Sequence, residues 1–268
     1  MDILTHALSG AAVATCASTF VKTTPLRKVK IILTGTIGGI LPDIDAISMW
    51  SRFDATFSKL FGLSDTGKVV YSSKFWYSHH AFFHSLPASI ILGILFILCI
   101  YLIRKSLKKT DKHFAGFMKD HAIYFITFVL GFWAHLAGDL PTPASAWGGI
   151  ALWWPGENYT GGYGKIWWWN NYDIFLLIIC CIIINLTVPV FKVLRNKSKI
   201  INSIILSLTF ILILIQINSR QYDYAYTKST AATYAEMERN SKKEQERILG
   251  KHLYKLMDKF DSSLKIYF

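Results

Sequence analysis

The sequence predicts an all-α fold: a polytopic membrane helical bundle of about six spans, with a C-terminal amphipathic helix outside the bilayer. Three observations point there. Hydrophobic residues make up 52% of the 268 residues and charged residues only 17%, where ordinary soluble domains carry about 25%. Apolar runs long enough to cross about 30 Å of hydrocarbon recur along the chain. Finally, the basic excess behind the net charge of +12 is gathered in short runs that each abut an apolar run: Lys22, Arg27, Lys28 and Lys30; Arg104, Lys105, Lys108, Lys109 and Lys112; Lys192, Arg195, Lys197 and Lys199. That is the positive-inside pattern. A nucleic-acid surface would set a basic stripe on a polar fold, so no nucleic-acid partner is expected, and membrane lipids are. The composition excludes a disordered chain and argues against a soluble cytoplasmic enzyme.

The first two candidate spans, 3–21 and 31–47, are rich in Gly, Ala, Ser and Thr, which suits close helix–helix packing. Asp2 and the absence of a basic leader argue against a cleaved signal peptide. The spans at 86–103, 122–138, 174–191 and 201–217 are more strongly apolar, each 17 or 18 residues long. If the basic loops at 22–30, 104–121 and 192–200 are cytoplasmic, both termini and the segments 48–85 and 139–173 lie outside. Residues 1–217 then form a membrane-embedded domain and 218–268 a polar, mainly helical tail. In that tail Leu249, Leu253, Leu256, Phe260 and Leu264 recur at helical spacing, giving a stripe that docks on the protein or on the membrane surface. The loop 139–173 carries Trp147, Trp153, Trp154, Trp167, Trp168 and Trp169 among glycines, which reads as an interfacial belt or a lip over a site. Cys16, Cys99, Cys180 and Cys181 lie in apolar runs without CxxC spacing, as packing residues do.

Ionisable side chains in or beside a span are costly and mark function. His6, Asp43, Asp45, His79, His80, His84, His135 and Asp139 form such a set, and the topology puts all of them at the outer ends of the spans. His135 and Asp139, four apart, share a helix face, which suits either a shared cation or a satisfied surface pair. Asp43 and Asp45 follow a Gly-Gly helix end and a proline, and close carboxylates repel unless a cation lies between them; a solvated turn is the plainer reading. His79, His80 and His84 crowd beside aromatics and favour ligation, with His79 and His84 fitting a turn that enters a helix. Leaving out His80, four His and three Asp are candidate ligands, more than the four that one zinc takes. One or two ions are therefore expected. Imidazole and carboxylate donors without thiolate suit Zn²⁺, with Mn²⁺, Fe²⁺ or Co²⁺ as alternatives.

These pieces, in this order, resemble the YdjM-like family of membrane-bound, metal-dependent hydrolases. The likeness is carried by Thr5-His6-Ala7, by Leu41-Pro42-Asp43-Ile44-Asp45 and by His79-x4-His84-Ser85-Leu86. His135-x3-Asp139 with Thr142 follows, then Trp147-Gly148-Gly149-Ile150 running to Trp154-Pro155, so that about residues 1–155 are covered. Where the family has Arg-Gly, this chain has His80-Ala81, which leaves the role of His80 open. The family is distantly similar to zinc-dependent phospholipases C and single-strand nucleases, all-helical enzymes that cleave phosphoesters with His/Asp metal clusters.

The resemblance implies an integral membrane metal-dependent hydrolase acting on a phosphoester or lipid-linked substrate at the extracytoplasmic membrane surface. His6, Asp43, Asp45, His79, His84, His135 and Asp139 would be the metal ligands. Asp43, Asp45 and Asp139 would be the candidate catalytic acids, and Asp2 would orient His6 from behind. Two other classes compete. A cation or proton transporter requires His or acidic residues at cytoplasmic depth, and a non-catalytic protein with a structural metal requires a closed coordination shell.

Overall fold

The computed structural model describes residues 1–225 and 231–264; the parts of the predicted tail at 226–230 and 265–268 lie outside the described residues. The fold is all-helical, with α1 Ile3–Ser18, α2 Pro25–Ile40, α3 Leu86–Ser106, α4 Ala122–Asp139, α5 Tyr172–Thr187, α6 Ser198–Asn218 and α7 Ala231–Ser263 as its longer helices. Helix starts follow familiar chemistry. Thr24 caps α2 ahead of Pro25, and the Ser85 hydroxyl accepts from the Ala88 N–H ahead of Pro87 at the start of α3.

Five stretches are long and apolar enough to cross a membrane: Pro25–Met49, Leu86–Ser106, Ala122–Asp139, Tyr172–Val190 and Ser198–Asn218. The sixth predicted span, at 3–21, is shorter than expected, because α1 has only 16 residues and stops at Ser18. At 1.5 Å per residue it is about 24 Å long, short of the hydrocarbon thickness. It is instead the central helix, packed against α2, α4, α5 and α6. The outer helices carry the lipid-facing surface: Ile204, Leu208, Phe210, Ile211 and Ile215 of α6 and Ile91, Ile94, Leu95, Leu102 and Ile103 of α3 are all exposed.

Small residues bring α1, α2 and α4 into backbone contact. The carbonyl of Gly35 is the meeting point, and a Cβ on either Gly10 or Gly131 would overlap it. This is the close approach that the glycine content of the first two spans predicts. It delivers the N-terminal end of α1 and the C-terminal ends of α2 and α4 to one end of the bundle. The basic loops 22–30, 104–121 and 192–200 lie at the opposite helix ends.

The loop 139–173 is folded across that same end and closed by isolated bridges between Pro143 and Tyr163 and between Ile150 and Thr160. Gly149 and Gly161 turn it with φ of +116° and +91°. An interfacial belt describes only part of its tryptophans. Trp153 is exposed, but Trp147 and Trp167 are buried.

The C-terminal helix docks on the protein, as one of the two readings of the tail expects, through a face other than the predicted one. Buried Ser241, Glu244, Gln245 and Met257 make the contact, whereas Leu253, Leu256 and Phe260 of the apolar stripe stay exposed. The anchor is polar. Asp173 at the start of α5 pairs with Arg220 at 3.0 Å, both almost fully buried. Gln245 then donates to Asp173 Oδ1 at 3.0 Å and accepts from its N–H at 3.1 Å.

Candidate metal centre

Every predicted ligand reaches one buried cluster. α1 brings His6, and α4 brings His135 and Asp139 one turn apart. The Gly38-Gly39 end of α2 and Pro42 turn the chain into a 3-10 segment, Leu41–Met49, that carries Asp43 and Asp45. A 3-10 turn, Phe82–His84, sets His84 just before α3, which is the turn-into-helix arrangement. The surface-pair and solvated-turn alternatives fail on burial, since the side chains of His135, Asp139 and Asp45 are respectively 0%, 5% and 1% exposed.

At the centre, His84 Nε2 and His135 Nε2 face each other at 3.3 Å. Asp139 Oδ2 lies 3.0 Å from His135 Nε2 and 3.6 Å from His84 Nε2, and Asp43 Oδ1 lies 3.6 Å from both. Metal–ligand bonds of about 2.0–2.1 Å put tetrahedral ligand atoms about 3.3–3.4 Å apart. The two imidazole nitrogens, and each carboxylate oxygen relative to them, therefore have the spacing of ligands in a cation's coordination shell.

Their electronic state suits that use. His135 Nδ1 bonds the Gly39 carbonyl at 2.8 Å. A carbonyl only accepts, so the proton is on Nδ1 and Nε2 presents a lone pair. Asp45 accepts from His79 Nδ1 at 2.7 Å, fixing that ring from its far side, and its other oxygen lies 3.2 Å from His84 Nδ1. The i,i+2 spacing of the acids thus brackets one imidazole, with Asp43 on the Nε2 side of His84 and Asp45 on the Nδ1 side. His84 Nδ1, Asp45 Oδ2, Asp139 Oδ2 and both nitrogens of His6 are buried without a hydrogen bond. Some lie within 3.0–3.2 Å of one another yet off the angle a hydrogen bond needs. Buried polar atoms are ordinarily satisfied, and of these Asp139 Oδ2 is turned toward the facing nitrogens of His84 and His135, where a cation would take it up. Burial by itself would lower the proton affinity of His84, but Asp45 and Asp43 override it and raise the pKa to about 10. The cluster is a field that selects positive charge.

The neighbourhood of these atoms extends to either side. His6 stacks on His135 with ring centroids 3.6 Å apart and sets Nε2 3.0 Å from Asp139 Oδ1. His79, His80 and His84 form another group whose nitrogens lie within 4.8 Å of one another. His80 sits at φ +65° with Nδ1 bonded to the Gly149 carbonyl at 3.1 Å, and burial together with His79 and His84 holds its pKa well below the ordinary imidazole value. It is thus a neutral imidazole.

Asp2 does something other than orient His6. Its carboxylate caps α1, accepting from the Thr5 N–H at 2.8 Å and the Thr5 hydroxyl at 2.7 Å. Short polar side chains ahead of a helix take the orphan N–H groups first. The cation beside Asp139 is the Met1 ammonium, 2.8 Å from Oδ1. Two contributors carried no advance signal: Tyr71, stacked on His79 with centroids 4.6 Å apart, and the Gly39 carbonyl, since a backbone oxygen has no sequence signature. Trp147, predicted as belt, donates to the Tyr71 carbonyl at 2.8 Å and packs on His80.

The cluster opens into a cavity of about 620 Å³ reached by Asp43, Asp139, His79 and His80 and walled by Tyr71, Trp147, Trp168 and Trp169, with Lys68 at its rim. No curated protein and no solved structure matches the chain. A family model described as YdjM inner membrane protein matches residues 1–222, which takes in the whole bundle and every residue of the centre. This chain belongs to the YdjM inner membrane protein family.

Proposed function

We propose that the protein is a membrane-embedded metal-dependent hydrolase of phosphoesters, with its centre at the extracytoplasmic surface. The observation that carries this reading is the facing pair of imidazole nitrogens, His84 Nε2 and His135 Nε2 at 3.3 Å, with a carboxylate oxygen of Asp43 and one of Asp139 each 3.0–3.6 Å from both, at the base of an open cavity. All-nitrogen-and-oxygen donors suit Zn²⁺, or Mn²⁺, Fe²⁺ or Co²⁺. The orientation is supported by the basic loops, all at the helix ends remote from the centre.

When bound, such a cation supplies Lewis-acid polarisation of a phosphoryl oxygen and makes water acidic enough to attack near neutral pH. The protein's own residues divide the remaining work. Asp45 holds the ring of His79 by its Nδ1 atom, and Gly39 does the same for His135. Asp43 has 16% of its side chain exposed, against 1% for Asp45 and 5% for Asp139, so of the two acids that line the cavity it is the more open one and would accept the proton of attacking water. His6 with Asp139 on one side of the centre, or His79 with its neighbouring imidazoles on the other, would be placed to hold a second ion. Lys68 at the rim draws an anionic ester toward the mouth. The aromatic walls exclude bulk water around it.

The open cavity speaks against a closed structural site. A proton or cation path needs ionisable groups through the bundle, and among the described residues no buried His, Asp or Glu lies in the halves of the spans nearest the basic loops. The test is metal analysis with turnover of a nitrophenyl phosphodiester by the purified protein. The joint variant His84→Ala/His135→Ala loses both. Undiminished metal in that variant overturns the centre, and a metal-replete wild type that cleaves neither this ester nor a phospholipid overturns the hydrolase reading.

A further inference from the structure

A second cavity, of about 580 Å³, lies at the depth of the spans. Its floor is α1, where Ser9, Ala12 and Val13 leave room, and its walls are α4 on one side and α5 and α6 on the other. On α4 the lining positions Leu130, Trp133, Ala134, Ala137 and Gly138 recur at helical spacing, the face turned away from His135 and Asp139. The lining is almost wholly carbon. Of its three hydroxyls, those of Ser9 and Thr209 are spent within their own helices, on the carbonyls of Thr5 and Ile205 at 2.8 and 2.9 Å, and Ser207 is the third. Such a surface suits a hydrocarbon chain better than a headgroup, a peptide or water.

Two features say what occupies it. From Leu206 to Ile217 the α6 wall rises roughly 16 Å, close to the ~15 Å depth of one hydrocarbon leaflet. The upper end abuts the metal centre through Met1 and Gly138. Met1 lines both cavities, and a Cβ on Gly138 would stand 3.1 Å from His6 Cε1. We infer that this groove holds one hydrocarbon chain of a phosphate-bearing lipid whose headgroup reaches the cluster of Asp43, His84, His135 and Asp139. The inference rests on the phosphoester reading and narrows it: the substrate is a lipid that slides in laterally from the bilayer, its chain left in apolar surroundings while its phosphate is presented to the centre. The small residues of α1 and α4 then have a second use, as clearance for the chain.

The test is photocrosslinking in phosphatidylethanolamine vesicles that contain the full chain and phosphatidic acid with a diazirine midway along one acyl chain. Labels concentrate on 130–138 and 206–217, about tenfold above the lipid-exposed face of α3, the preference that about 1.4 kcal/mol produces. Ala137→Phe, which fills the groove without touching the centre, removes that excess and leaves metal content unchanged; Ser207→Phe is the second variant should the first not fold. Even labelling over α3 and the groove, or an excess that survives both substitutions, overturns the proposal. So does equal groove labelling by a diazirine diacylglycerol lacking phosphate, because the groove is then ordinary annular lipid contact. Specific phosphatidic-acid labelling in a protein that cleaves no phosphoester would keep the lipid site and remove the hydrolase reading, so the two fail separately.

Discussion

Single side chains in this protein serve either the cluster or the helix that presents it, and Asp2 separates the two uses. As a cap it satisfies the Thr5 N–H, so Asp2→Ala should cost about 1 kcal/mol of stability and leave metal content at the wild-type level. Loss of metal in a variant of unchanged thermal stability would return Asp2 to the centre. The ligand set was legible in the sequence because buried His and Asp are expensive and thus conspicuous. Spacing gave partial geometry. The i,i+4 relation of His135 and Asp139 became a 3.0 Å contact, whereas no spacing rule tells which nitrogen of His84 meets Asp43 and which meets Asp45. The partners that could not be read are of two kinds: a backbone carbonyl at Gly39, and aromatic rings such as Tyr71 that reach the site from a separate short helix, Gly67–Ser72.

At the scale of elements, the helices are positioned by clearance more than by side-chain fill. Gly10, Gly35 and Gly131 let α1, α2 and α4 touch, and that contact is what brings His6, Asp43 and His135 to one point. Gly131→Leu should therefore destabilise the bundle by about 1–3 kcal/mol or prevent folding, and where it folds it should lose metal as well. Gly116→Ala, in a short helix with nothing within 4 Å of the added carbon, is the matched control and should be neutral or mildly stabilising. A Gly131→Leu variant as stable as wild type, measured by thermal unfolding in detergent, would contradict the packing account. The strongly apolar spans were readable from hydropathy alone. α1 was harder, because a 16-residue helix rich in Ala, Ser, Thr and Gly is defined by what it packs against. The face on which α7 docks was not legible either: the apolar stripe draws attention, yet the buried contact is made by Gln245, Glu244 and Ser241, whose partners lie far off in sequence.

For the whole molecule, the tail and the bundle are joined by a buried ion pair, Asp173 with Arg220. Removing one partner strands the other. Arg220→Met should cost about 3–5 kcal/mol, whereas the joint Asp173→Leu/Arg220→Met variant should recover most of it. Limited proteolysis in the α7 region reads the difference, and equal cleavage of wild type and Arg220→Met would contradict the anchor. With the tail in place, one claim is central: donors from α1, α4, the 3-10 segment that follows α2 and the turn that precedes α3 enclose a cation at the bundle's site end. X-ray absorption at the edge of whichever divalent metal copurifies tests it most directly. The account predicts a shell of nitrogen and oxygen at about 2.0–2.2 Å, lost in His84→Ala/His135→Ala. A sulfur shell at about 2.3 Å, or a nitrogen–oxygen shell that survives the double substitution, would contradict it.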